Sequence, residues 1–471
     1  MPAKYEMTIG GRQIPATNYR ETRNPADGSL VGLCPVATAD HLEQALETAR
    51  QAFGRWRHST HSQRKAACEA VAKVLGEHSR ELAALVTCEQ GKPLKGLGSE
   101  FELAGAAGWA TYTASMDVPD RTLEATASKR VTLTHLPVGV VASITPWNWP
   151  LLIAVWHMLP ALRTGNTVVI KPSPHTPLST LRMVELIAEV LPPGVLNVLS
   201  GDDHLGDLLT QHPAVAKVVF TGSIETGRRV MRNAASTLKR LTLELGGNDP
   251  GIILPGTDPA GIAESLFWGA FINSGQTCAA LKRLYVHDDM YEATCGALAS
   301  YARSVIVGNG MDSATQLGPL TTERQLQRVS ELVEDAKRDG ARVIAGGTAP
   351  GGPGYFFPVT LVGDAENGQR LVDEEQFGPA LPIIRYTRIE DAVRWANETD
   401  YGLAASVWGT DRNRLAEVAE QLEAGTVYIN KHAEVAPNIP FGGIKSSGLG
   451  VEFGVEGLQA YTTLKVVNAA T

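Results

Sequence analysis

The sequence contains no apolar run long enough to cross a bilayer. Its most hydrophobic stretch, Trp149 to Leu162, is interrupted by Pro150, His157 and Pro160 and falls short of the roughly 20 residues that a spanning helix needs. Met1 to Arg20 mixes charged and polar residues and lacks the apolar centre of a signal peptide. Both absences set the expectation of a cytoplasmic protein with no membrane partner. No dense run of Lys or Arg occurs, and the formal charge is -8, so nucleic acid is not an expected partner. The cysteines, Cys34, Cys68, Cys88, Cys278 and Cys295, are odd in number and contain no CxxC pair. That argues against a metal centre and for free thiols in a reducing compartment. The chain also lacks an internal repeat, a low-complexity tract and any G-x-G-x-x-G motif. Spacing alone therefore carries only a weak nucleotide signal.

What is present is a chain of 471 residues, 44% hydrophobic and 20% charged, long enough for two or three domains. Two regions alternate strand and helix signals, the pattern of parallel sheets covered by helices. The first begins with the apolar run Gly139 to Thr145 and continues with a strand at Asn166 to Ile170. A helix from Leu178 to Leu191 follows, with Leu181, Val184, Ile187 and Leu191 on one face. Strands at Val195–Leu199, Lys217–Phe220 and Leu241–Leu245, with helices near Leu205–Thr210 and Glu225–Ala235, complete a doubly wound unit of about five strands. The second region, from Asp249 to about Lys431, carries helix patterns at Asp258–Asn273, Met290–Val305, Thr322–Arg338, Ile389–Glu398 and Arg412–Leu422. Asp117 to Leu136 and Tyr461 to Val467 show strand-like alternation outside both units. They are expected to pair with each other or with another subunit, since lone two-stranded pieces are marginal in water.

Three stretches place reactive side chains among glycines and prolines. In Phe271-Ile-Asn-Ser-Gly-Gln-Thr-Cys278-Ala-Ala280 a helix ends near Asn273 to Gly275, leaving Cys278 on a short connection. The thiol is either a buried structural cysteine or a nucleophile held toward a cleft. In Leu241-Thr-Leu-Glu244-Leu-Gly-Gly-Asn248 a carboxylate interrupts an apolar strand. It is either a partly exposed strand end or a general base with a raised pKa near the carboxyl end of a parallel strand. In Ile144-Thr-Pro-Trp-Asn148-Trp-Pro150 the Asn148 amide either satisfies its own turn or donates to an oxyanion. Phe220-Thr-Gly-Ser223-Ile-Glu-Thr-Gly227 runs from strand into helix, where first-turn amides suit a pyrophosphate and equally suit a simple cap.

Together these segments resemble the aldehyde dehydrogenase superfamily, from about Asn24-Pro-Ala-Asp-Gly28 to the tail. Phe271 to Ala280 resembles its cysteine signature and Leu243 to Gly247 its glutamate signature. Pro146-Trp-Asn148 resembles its oxyanion element, Glu374 to Pro379 its nicotinamide-ribose clamp, and Pro440 to Gly443 its late active-site turn. The resemblance implies a fold of two doubly wound parallel-sheet domains with a small β oligomerisation arm. It divides the chain into a Rossmann-like cofactor domain (1–116 and 137–246), a catalytic domain (247–445) and the arm (117–136 and 446–471). It implies oxidation of an aldehyde to its acid, with Cys278 as nucleophile, Glu244 as the base for the deacylating water, and the Asn148 amide with the Cys278 N–H as oxyanion hole. Glu452 matches a second glutamate assigned to proton relay. Because Glu244 is present, hydrolysis is favoured over transfer to coenzyme A.

The resemblance also implies NAD as cofactor, contacted by Thr145, Pro146, Trp147, Lys171, Ser173, Gly201, Gly222, Ser223, Thr226, Leu245, Gly246, Glu375 and Phe377. Trp149, Ile153, Trp156, Thr277, Val435 and Phe441 match positions along the substrate tunnel, and a homodimer or homotetramer is expected. Two departures matter. Many NAD-preferring relatives carry a glutamate three residues after the lysine, but here Lys171 is followed by Pro-Ser-Pro174, so NADP stays open. His157 stands where many relatives have a lysine, with a changed pH dependence or simple packing as its two readings. Semialdehyde readers often place an arginine before the signature asparagine, and here that residue is Ile272. The expected substrate is an apolar or aromatic aldehyde, with a trimethylammonium aldehyde held between tryptophans as another choice. Competing readings are a thiol esterase using Cys278 without redox chemistry and a non-catalytic family member.

Overall fold

The computed structural model describes residues 3–470. Its first sheet has eight strands. Five are parallel and run in the spatial order Arg240–Glu244, Val215–Thr221, Val140–Ile144, Thr167–Lys171 and Leu196–Val198. These central strands are almost wholly buried, as expected of strands covered by helices on both faces. One core packs Leu151, Leu159 and Leu162 of helix Pro150–Arg163 against one face, and a second packs Leu42, Leu46 and Val230 against the other.

After Val140–Ile144 the chain crosses to Thr167–Lys171 on one side. It later returns to place Val215–Thr221 on the other. The order therefore reverses between Val140–Ile144 and Val215–Thr221, and the loops leaving their carboxyl ends open a crevice at that switch point. Asn148 and Ser223 lie on those loops.

The second sheet has seven strands: Arg342–Ala345, Thr360–Ala365, Ala380–Tyr386, Leu281–His287, Asp249–Ile253, Ala404–Trp408 and Thr426–Ile429. All are parallel except the edge strand Arg342–Ala345. Helix Pro259–Phe271 ends in a short 3-10 turn, Ile272–Gly275, and the chain then enters Leu281–His287. Cys278 therefore lies at the amino end of a strand of the second sheet, facing the carboxyl ends of the first. The expected helices are present, at Pro259–Phe271, Tyr291–Ser304, Glu323–Arg338, Ile389–Asn397 and Arg412–Gln421.

A separate three-stranded antiparallel sheet joins Arg121–Ala125, Lys129–Pro137 and Thr462–Ala470. The two segments outside the main units thus pair with each other. The grouping of 446–460 with that arm is different in the structure. Gly448–Leu449 pairs antiparallel with Leu243 and Glu244 on the edge of the first sheet, so the chain passes through the active-site wall before reaching the arm. Among the described residues no helix is long and apolar enough to cross a membrane.

Candidate active site

The turn before Cys278 is held in an unusual backbone shape. Asn273, Ser274 and Gly275 take φ values of 53°, 55° and 72°, the left-handed region that costs non-glycine residues of order 1 kcal/mol each. At Gly275 a Cβ would fall 2.3 Å from the Gly378 carbonyl, so glycine is required there on two counts. Side chains hold the shape. Gln90 Nε2 donates to Asn273 Oδ1 at 3.1 Å, Ser274 Oγ to Gly318 O at 2.7 Å, and Thr321 N to Gln276 Oε1 at 2.9 Å. Cys278 emerges half-buried. Burial pushes its thiol up to about 12, and Lys282 is the first influence pulling it back.

Glu244 ends the strand Arg240–Glu244 and is buried, with neither carboxylate oxygen hydrogen-bonded among the described residues. Burial first, and the charge of Glu452 second, hold its carboxyl well above the usual range, which suits a base. Glu452 is itself 4% exposed, and its Oε1 lies 3.1 Å from Nε2 of the fully buried His157. The His157 ring spans Ser143 Oγ on Nδ1 and Thr221 Oγ1 on Nε2, both at 3.0 Å. Beyond them Lys217 Nζ donates to Thr242 Oγ1 at 2.6 Å, and burial lowers that amine to about 7.

Asn148 is fixed at both its backbone and its side chain. Its carbonyl accepts from Lys92 Nζ at 2.7 Å and Asn273 Nδ2 at 2.9 Å, while its own Nδ2 donates to Gln276 O at 2.9 Å. Lys92 and Glu102 form a wholly buried ion pair at 2.6 Å. The other Glu102 oxygen accepts from the N–H groups of Leu151 and Leu152, at the start of helix Pro150–Arg163, where a negative charge meets the positive end of the helix dipole.

A cavity of about 530 Å³ joins these groups. Cys278, Glu244 and Asn148 share it with Pro146, Trp147, Gly222, Ser223, Leu245, Gly246, Glu375 and Phe377. A neighbouring pocket adds Thr145, Lys171, Ser173 and Thr226. Ser223 caps helix Ile224–Ala235 by accepting from Thr226 N, which leaves first-turn amides for an anionic group. Lys171 is buried, its amine is lowered to about 8, and the hydrogen bond it makes is a long one to Pro172 O at 3.5 Å. At Gly246 a Cβ would lie 2.2 Å from Glu375 Oε2, so backbone and clamp approach as closely as glycine permits. These donors and this channel fit a dinucleotide. Gly201 lines neither pocket and packs instead against Leu205.

None of the six residues expected along the substrate tunnel lines the larger cavity; Trp149 Nε1 donates to Thr277 Oγ1 at 3.1 Å. Phe441, Cys278 and Val435 belong to one apolar cluster with Phe453. Trp156 meets Phe453 edge-on at 4.7 Å and Trp109 at 5.5 Å. Ile153 is 1% exposed and belongs to the packed core behind this wall. Sequence reasoning misses His175, Arg324, Gln325 and Arg328, which line the larger cavity, and Trp109 and Phe453, which meet edge-on at 5.6 Å in the aromatic cluster with Trp156. It also misses Lys282, although a lysine inside an apolar strand four residues after the cysteine is itself a signal.

Comparison with known proteins gives the same picture. The family model described as "Aldehyde dehydrogenase family" matches residues 14–467. The chain is 39% identical to a phenylacetaldehyde dehydrogenase of Pseudomonas fluorescens over 481 residues, covering 98% of this chain and 95% of that protein. It is 36% identical to the succinate-semialdehyde dehydrogenase [NADP(+)] of Escherichia coli (strain K12), covering 98% and 97%. The solved NAD+ complex of an aldehyde dehydrogenase from Bacillus cereus superposes with a TM-score of 0.96 at 36% identity, covering 99% of this chain and 97% of that one. The chain belongs to the aldehyde dehydrogenase family and is an NAD(P)-dependent aldehyde dehydrogenase.

Proposed function

We propose that this enzyme oxidises an apolar or aromatic aldehyde to its carboxylic acid through a thioester on Cys278. The observation that carries this reading is the convergence of Cys278, Glu244 and Asn148 on one cavity with the Gly222–Ser223 helix start and with Glu375 and Phe377. The Cys278 sulfur, once deprotonated, adds to the carbonyl carbon. The oxygen takes up negative charge and accepts from Asn148 Nδ2 and the Cys278 N–H, donors fixed before the reaction begins. A nicotinamide held beside Glu375 and Phe377 would supply the two-electron hydride acceptor there, and loss of hydride from that carbon leaves the Cys278 thioester. Glu244 then removes a proton from water, the hydroxide attacks the thioester carbon, and the C–S bond breaks to release acid and thiol.

The substrate wall supports an apolar or aromatic aldehyde. Trp109, Trp156, Phe441 and Phe453 form a continuous set of ring contacts, and such faces favour apolar and aromatic groups. Similarity to a phenylacetaldehyde dehydrogenase points the same way. For the cofactor, Lys171, Ser173 and Arg229 line the pocket beside Pro174, with Asp203 and Asp207 paired to Arg229; position 174 itself carries no carboxylate against a 2′-phosphate, so NADP stands beside NAD. Leu464 and Val466 on the arm are exposed, which supports assembly into a dimer or tetramer, to be measured by analytical ultracentrifugation.

The test is absorbance at the reduced-nicotinamide band across aliphatic, aromatic, cationic and carboxylate-bearing aldehydes, with NAD and NADP in parallel. Reduction is expected with aromatic or apolar aldehydes, and it should vanish in Cys278→Ala. Ester hydrolysis without any reduction would replace this reading with a thiol esterase. Turnover that survives Cys278→Ala would exclude the thioester.

A further inference from the structure

Lys282 stands in the strand Leu281–His287 with 3% of its side chain exposed. Its ammonium donates to Cys278 O at 2.5 Å and to Gly247 O at 2.9 Å, and it lies 3.1 Å from Glu375 Oε1. These three acceptors belong to three different segments: the cysteine turn, the loop after Glu244, and the Glu374–Phe377 loop. Glu375 Oε1 also accepts from Gly247 N at 3.2 Å, which closes the ring of contacts. The neighbouring Arg283 points elsewhere, toward Asn248 O and Ala396 O at 2.8 and 3.0 Å, and serves packing inside the second domain.

A buried ammonium is costly unless it is paired. Here the partners are the nucleophile's own carbonyl and the carboxylate expected to take the nicotinamide ribose. The groups whose charges face the Cys278 thiol are Glu244, Asp249, Glu375 and Lys282, and Lys282 is the cation among them. Tyr428 also senses the thiol, and His432 Nε2 sits 3.6 Å from Asp249 Oδ2.

Building on the reading of Cys278 as nucleophile and Glu375 as ribose clamp, we propose that Lys282 is a positioning residue. It ties the cysteine turn to the clamp and divides its charge between the thiol and Glu375. Removing the clamp's carboxylate leaves more of that charge for a thiolate, and removing the lysine leaves none.

The test is the pH dependence of iodoacetamide alkylation, followed at the Cys278 peptide by mass spectrometry in the cofactor-free enzyme. Lys282→Met should move the midpoint upward, with alkylation about tenfold slower at a fixed pH below it. Glu375→Gln should move it downward, with faster alkylation at the same pH. A wild-type profile in Lys282→Met overturns the proposal, as does an unmoved or raised midpoint in Glu375→Gln. The glutamine variant decides alone if the methionine variant does not fold. Aldehyde oxidation by the unsubstituted enzyme separates the two ideas. Opposite alkylation shifts without oxidation would end the proposed reaction, whereas oxidation with flat alkylation profiles would end the role given to Lys282.

Discussion

Nε2 of His157 lies 3.1 Å from Oε1 of Glu452, and both side chains are buried behind Glu244. Glu452 raises the Glu244 carboxyl by its charge. Glu452→Gln removes that charge while keeping the shape, so Glu244 should lose its proton at lower pH. The base works only when deprotonated, so activity rises as pH passes its pKa. The acid limb of the kcat profile is therefore expected to shift toward lower pH by about one unit. A limb that stays put or moves upward would remove Glu452 from the control of Glu244.

Asn148→Ala deletes an oxyanion donor whose position is set by Gln276, Lys92 and Asn273. The expected loss in kcat is about 10²–10³-fold with KM little changed, the pattern of an interaction made in the transition state. Steady-state kinetics would show it, and a large rise in KM with kcat intact would assign Asn148 to ground-state binding instead.

Lys92→Met strands the buried Glu102 carboxylate and should lower stability by about 3–5 kcal/mol. Lys92→Met combined with Glu102→Gln removes both charges, and the glutamine carbonyl can still cap Leu151 and Leu152. This double variant is expected to regain most of the melting temperature. It should remain slow, because Asn148 O still lacks its lysine donor. Full recovery of kcat along with stability would reduce the ion pair to packing.

Thermal stability should rise between pH 7 and pH 9. Burial depresses Lys92 and Lys171 to about 8 and Lys217 to about 7, against about 10.4 for a lysine in the unfolded chain. In that window the unfolded state binds more protons, so raising pH favours the native state. The thiols of Cys34 and Cys295, raised to about 11, and of Cys68 and Cys278, raised to about 12, act oppositely once pH exceeds the ordinary thiol value of about 8.5, so the rise belongs to the lower part of that window. A melting temperature that falls steadily from pH 7 to 9 would contradict this assignment.

Pro174→Glu introduces the carboxylate that many NAD-preferring relatives carry near the adenosine ribose. It lies in the pocket with Lys171 and Ser173 and should shift the ratio of kcat/KM for NAD over NADP upward by about tenfold, roughly 1.4 kcal/mol. Parallel kinetics with both cofactors measure it, and an unchanged ratio would place the 2′ position elsewhere.

The scaffold was largely legible because periodicity reports burial. The apolar runs at Val140–Ile144 and Thr167–Lys171 are strands buried along their length, and the spacing of Leu181, Val184 and Ile187 marks a buried helix face. The principal catalytic candidates were legible because reactive residues sit where regular structure stops. What stayed hidden has no local pattern. Gly448–Leu449 is a two-residue strand, too short to alternate, so nothing in the sequence separates its segment from the arm. Phe453 takes a φ of 61°, which no flanking residue announces. Arg324 and Arg328 reach the cofactor cavity from a helix whose own pattern reports only its packed face. Convergence across such distances is a property of topology, and a linear reading sees it only through an oddity such as a lysine in an apolar strand.

The passage of the chain past the first sheet gives Glu452 more than one anchor. Gly448–Leu449 is stitched to the strand that carries Glu244, Glu452 follows, and after helix Gly454–Gln459 the chain pairs as Thr462–Ala470 with Lys129–Pro137, the central strand of the arm. Glu452 is thus strung on a short tether anchored in two separate sheets. Glu452 also exchanges both backbone hydrogen bonds with Phe441, so the carboxylate beside Glu244 keeps one place relative to the base and to the apolar wall together.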